Sequence, residues 1–181
     1  PSLRDLEQVF GRVYNALEDG KLFIFDMRTL WGLAASAAQS DRVRTTWQFQ
    51  REPQPGTIEN SVKFALACQQ KISDRAYDAF SFCDVDGVKK LLKFAPAGAM
   101  TLLHELMAIP TVPENDSYGA VTQLIIKALT GQNPAYLEFY EFTKQSALMG
   151  VPDYVPGSIV DGPITVMPNA FGSFGEGLLN M

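Results

Sequence analysis

The chain has 181 residues, 46% of them hydrophobic and 19% charged, which excludes a disordered or fibrous protein and supplies a core without disulfide or metal staples. Its net charge of −5 lies wholly in the second half: residues 1–90 carry 12 basic and 12 acidic groups, residues 91–181 carry 3 and 8, and no Lys or Arg follows Lys144. Phosphate binding is driven by Lys and Arg displacing counterions, so this balance speaks against nucleic acid as the main partner.

At the N-terminus, Ser2 followed by Asp5 forms a helix-start signal, and Leu3, Leu6, Val9, Phe10, Val13, Tyr14 and Leu17 recur at three- and four-residue spacing. That stripe predicts a helix stopped by Gly20. No basic-then-apolar leader is read there, and Pro1 is taken to follow a removed initiator Met, which implies synthesis in a cytoplasm. Leu22 to Phe25 reads as a short strand or a first turn. Asp26 then caps an Ala-rich helix through Leu30, Trp31, Leu33, Ala34, Ala37 and Ala38.

Over residues 43–50 the period changes. Val43, Thr45, Trp47 and Phe49 alternate with Arg44, Thr46, Gln48 and Gln50, which predicts a strand with one dry face, broken by Pro53, Pro55 and Gly56. Thr57 is read as the cap of a further helix, followed by a shorter helical piece around Asp74 to Phe80, a helix over Val85 to Phe94, and one over Ala97 to Ile109 that opens after Pro96. Residues 109–116 read as a loop. Ser117 caps a helix ending at Gly131, and Asn133-Pro134 opens a last helix carrying Leu137, Phe139, Tyr140, Phe142 and Leu148. The predicted fold class is therefore mainly α: a multi-helix globular domain over residues 1–150 with one or two short β-strands.

From Val151 the composition shifts. Prolines and glycines recur too often for regular helix, yet the segment keeps Tyr154, Ile159, Ile164, Val166, Met167, Phe171, Phe174, Leu178 and Leu179. It is predicted to be an extended Pro/Gly-rich C-terminal arm, residues 151–181, lying on a protein surface. Ile164, Val166, Met167, Phe171, Phe174, Leu178 and Leu179 are its candidate inter-subunit contacts. Ile164 to Met167 is the stretch expected to pair as a strand, with residues 43–50 of the same chain or a neighbour as its edge.

Residues that could carry chemistry are few, and no catalytic, cofactor or metal site is assigned from the sequence. His104 is the sole histidine, and Ala108 stands where a second zinc-binding His would be, so a packing role is the simpler reading. Asp84-Val85-Asp86-Gly87 resembles the opening of a calcium loop, but its twelfth position is Ala95, so helix capping accounts for it better. Cys68 and Cys83 match no metal or redox spacing and read as buried, reduced thiols. Lys89, Lys90 and Lys93, and Arg42, Arg44 and Arg51 beside Trp47, are the only basic groupings a nucleic acid could use. Gly172 to Gly177 lacks the strand and helix that a phosphate loop needs.

These features together point to a non-enzymatic structural subunit of a larger assembly, such as a virus or phage particle, a connector or a secretion-type machine. Its partners would be other protein subunits, its own copies first, with no cofactor and no membrane insertion. A helical module holding an apolar small molecule or pigment, and an enzyme without a recognisable motif, are the alternatives.

Overall fold

The computed structural model describes residues 27–92, 95–150, 156–159, 165–168 and 174–176, together with Arg4, Glu7, Gln8 and Arg12. Those four N-terminal residues are helical, while the apolar stripe predicted around them lies outside the described residues.

The described elements run as α1 (Met27–Thr46), β1 (Gln48–Phe49), α2 (Thr57–Arg75), β2 (Phe80–Ser81), a π-helical turn (Asp84–Lys89), α3 (Ala97–Met107), β3 (Thr111–Val112), α4 (Ser117–Thr130), β4 (Glu138–Phe142), β5 (Ala147–Gly150), a 3-10 turn (Gly157–Ile159), β6 (Thr165–Pro168) and β7 (Phe174–Glu176). The protein is mainly helical with short strands, as its periodicity predicts.

The helix α3 is the centre. Every residue from Ala95 to His104 is buried, which is how a helix apolar on all sides must sit. Helix α2 packs between α3 and α1, and the main core joins all three: Val43 and Trp47 meet Ile58, Val62 and Ala65 of α2 and Ala99 and Leu102 of α3. Val166 of β6 completes this cluster. The exposed ion pair Arg42–Glu105 (2.7 Å) ties α1 to α3, and Arg44–Glu59 ties α1 to α2.

Where α1 ends, the structure corrects the predicted strand. Residues 43–46 are the last turn of α1, and the strand keeps only Gln48 and Phe49. Val43 and Trp47 are four apart, so they share one face of a helix as well as one face of a strand. Ser36, Ser40, Val43 and Trp47 form the buried side, whereas Thr45 is exposed. The hydroxyls of Thr45 and Thr46 donate to the carbonyls of Asp41 and Arg42, which satisfies them inside the helix.

The arm residues described in β6 close back on their own chain. Strand β6 is central in a three-stranded sheet, parallel to β1 (Gln48↔Thr165, Phe49↔Val166) and antiparallel to β7. The predicted pairing of 164–167 with 43–50 therefore occurs within one chain at these positions. Val166 is 1% exposed and buried in that chain's core, beside Val43, Trp47, Ala99 and Leu102 of the same cluster. The backbones of Met167 and Phe174 lie in β6 and β7, while Ile164, Phe171, Leu178 and Leu179 fall outside the described residues.

Three further expectations change. Asp74 and Arg75 belong to α2, which ends at Ala76 in the left-handed region (φ 51°), and Phe80–Ser81 pairs in parallel with β3 inside the segment read as loop. Around Asp84 the chain makes a π turn before the helical residues up to Leu91. The predicted last helix is an antiparallel hairpin, β4–β5. Glu138 to Phe142 is rich in aromatics, which suit a pleated surface, and Thr143 closes the turn by accepting the N–H groups of Gln145 and Ser146.

Candidate functional site

Helix α4 is built inside out. Its N-terminus is capped by Asp116, whose side chain accepts the Gly119 N–H at 2.8 Å, and Gly131 ends it with φ 72°. The cap is thus one residue earlier than the predicted Ser117. The inward face is mixed: Gln123 is buried, and Gly119, Ala120, Leu124 and Lys127 are half-buried. Gln123 is the one fully buried residue of the helix and donates to the Pro134 carbonyl, and the Lys127 ammonium donates to the Ala108 carbonyl. Tyr118, Val121, Ile125 and Leu129 recur at spacings of three and four on the opposite face, with Tyr118 87% and Leu129 81% exposed.

The hairpin adds to this apolar exposure. Phe139, Tyr140, Phe142, Leu148 and Met149 are all exposed, Phe142 by 70%. A bulge between Phe139 and Glu141 inserts an extra residue, which brings Phe139 and Phe142 to one side, where their rings stack at 4.9 Å. Gly150 lets the Tyr140 ring approach closely, since a Cβ there would stand 3.1 Å from that ring. From Ser117 to Leu137 the sole charged residue is Lys127. Exposed apolar side chains grouped in this way mark surfaces that take part in association.

A second feature forms at the C-terminal end of α3. The His104 ring is buried, with Nδ1 3.1 Å from the Ile109 carbonyl, which can only accept. Nδ1 therefore carries the proton, and Nε2 presents its lone pair to the Ser158 hydroxyl (3.3 Å) and the Asn133 amide nitrogen (3.4 Å). Ser158 sits in the 3-10 turn that packs on α3, and Asn133 lies just beyond α4. Both line a cleft of about 280 Å³ together with Gly131, Gln132 and Ile159. His104 had a packing role in prospect; Ser158 and Asn133 carry no sequence signal beyond turn chemistry.

Burial, then the nearby Lys127 ammonium, holds the His104 pKa below its ordinary 6.5, against the Ile109 carbonyl and Glu105, which raise it. The unfolded chain consequently takes up this proton more readily than the folded one, so the contribution is fully present above pH 6.5 and lost as pH falls through the lowered folded value. Thermal melts of wild type and His104→Gln between pH 7.5 and 5 check this. The wild type should lose more Tm on acidification than the variant; parallel curves would show that His104 does not titrate differently on folding.

The remaining candidates are structural. Asp84 is fully buried: one carboxylate oxygen takes the Lys89 ammonium at 2.7 Å and the other the Glu114 N–H at 2.8 Å. It secures the π turn to the loop after β3 instead of holding a cation. No group of three or more His, Cys, Asp or Glu residues among the described residues is arranged to hold a metal. Lys90 pairs with Asp86, and Lys93 lies outside the described residues. Arg42 and Arg44 face the carboxylates of Glu105 and Glu59, Trp47 is buried, and Arg51 is exposed. Cys83 is exposed, contrary to expectation, while partial burial pushes the Cys68 thiol up to about 11. No helix among the described residues is long and apolar enough to cross a membrane. Comparison of the sequence with models of known families and with curated proteins finds no match to either.

Proposed function

We propose that the protein is a structural subunit of a larger assembly, docking on a second copy of itself through the outer face of α4 and the β4–β5 hairpin. The observation that carries this reading is the inverted helix: Tyr118, Val121, Ile125 and Leu129 face outward while Gln123 and Lys127 face in. Each large apolar side chain gains about 1.5–3 kcal/mol when fully buried, so covering this stripe and the stacked Phe139–Phe142 pair provides a strong drive to associate. A copy of the chain suits the α4 part of the surface because Lys127 is the sole charged residue from Ser117 to Leu137, so like charges do not meet when two such faces come together.

The measurement is solution mass by light scattering. Wild type is expected to run as an oligomer, and Ile125→Glu with Leu129→Glu as a monomer with unchanged helical circular dichroism, since both positions are exposed in the folded chain. A wild type that stays monomeric at high micromolar concentration would remove the proposal.

A further inference from the structure

We propose that Ser158 and His104 form a nucleophile–base pair for acyl transfer, and that the cleft between residues 131–133 and 157–159 receives a small uncharged carboxylic ester. The observations are geometric and independent of the docking face. Ser158 is exposed, so a substrate reaches its hydroxyl, while its partner His104 is buried and fixed. The Ile109 carbonyl holds the proton on Nδ1 and leaves Nε2 unprotonated towards Ser158 Oγ, which is the tautomer a general base requires. That carbonyl fills the orienting role that a carboxylate often takes in such pairs. The residues lining the cleft carry no charge, Ile159 supplies an apolar wall, and about 280 Å³ admits a short acyl chain.

The Asn133 amide supplies the second observation. Its nitrogen faces the unprotonated Nε2, so its Oδ1 is fixed as an acceptor, and that oxygen is buried without a hydrogen-bond partner. Asn133 is a positioning residue: its amide nitrogen, 3.4 Å from Nε2, holds the imidazole edge that faces Ser158.

Ser158 Oγ bonds to the ester carbonyl carbon as its proton passes to His104 Nε2. The carbon–oxygen bond to the alcohol breaks, and the alkoxide takes the Nε2 proton and leaves as the alcohol. Water then adds to the acyl–Ser158 carbonyl, giving a proton to Nε2. The carbon–Oγ bond breaks, Oγ recovers that proton, and the carboxylic acid leaves.

An alkyl fluorophosphonate with the full chain tests the pair, because it phosphonylates only an activated hydroxyl and expels fluoride. Intact mass should show one adduct, mapped to Ser158 and missing in Ser158→Ala. The labelling rate of wild type should rise as His104 loses its proton on going up from pH 5 and then level. His104→Gln, checked by circular dichroism to be folded, should label about 10²-fold more slowly, the usual contribution of a general base. Should His104→Gln fail to fold, the wild-type pH profile decides, and a rate that does not fall on acidification down to the pH at which the chain unfolds overturns the proposal. Labelling of wild type no greater than that of Ser158→Ala overturns it too.

Discussion

Trp47→Ala is expected to lower the unfolding free energy by about 3–5 kcal/mol, the cost of truncating a large core aromatic. Trp47 stands just past the end of α1, with its N–H donating to the Val43 carbonyl at 3.0 Å, and is 7% exposed. It belongs to the cluster that unites α1, α2, α3 and β6, so the void left by the ring borders four elements that cannot all close in at once. A domain of this size has only about 5–15 kcal/mol in total, so the loss is a large share of it. Urea unfolding followed by circular dichroism gives the difference directly. A midpoint unchanged from wild type would mean that the ring is not part of the core, and would return Trp47 to the surface role that its neighbouring arginines first suggested.

Asp84→Ala is expected to cost a comparable amount, about 3–5 kcal/mol, because one partner of a buried ion pair is removed while the other stays. Asp84 is 0% exposed and Lys89 9% exposed, so the Lys89 ammonium has little access to water in exchange for the carboxylate it loses. The Glu114 N–H loses its acceptor in the same substitution. Asp86→Ala is the internal control: its ion pair with Lys90 is exposed to solvent, and its removal should leave stability unchanged within error. Equal effects at the two positions would show that the pair at Asp84 is not buried. Calcium should not alter the unfolding curve of either protein, since both Asp84 oxygens are already engaged by groups of the chain.

The two substitutions also separate what could be read locally from what could not. Asp84 reads in sequence as a helix cap, yet Cys83 holds the cap position without a side-chain bond and the Asp84 carboxylate takes Lys89 and the Glu114 N–H instead. Its partners are another matter: Lys89 is one turn on, but the Glu114 N–H arrives from thirty residues away. Trp47 was recognised as buried for the wrong reason. Residues 43 and 47 satisfy a two-residue and a four-residue repeat equally, so burial was legible while the element was not. The hairpin shows the same ambiguity at Phe139, Tyr140, Phe142 and Leu148, where a short apolar run after Asn133-Pro134 fits a helix start as well as a strand.

By itself the sequence determined the mainly helical class, the helix start after Pro96, the stop at Gly131 and the burial of Val43 and Trp47, whereas the cap expected at Thr57 is Gly56 and the pairing of 165–166 with 48–49 was one of the pairings it left open. Those signals are local: a missing N–H, a left-handed glycine, or a run of β-branched residues acts within a few positions of itself. Only the tertiary structure decided that Val166 serves its own core, that α4 turns its apolar stripe outward, and that His104 meets Ser158 across 54 residues. The physical reason is that burial and proximity depend on which surfaces remain once the helices have packed. Helix α4 shows an apolar stripe in sequence, but the hydrogen bonds of Gln123 to the Pro134 carbonyl and of Lys127 to the Ala108 carbonyl, which fix its rotation, come from segments outside it.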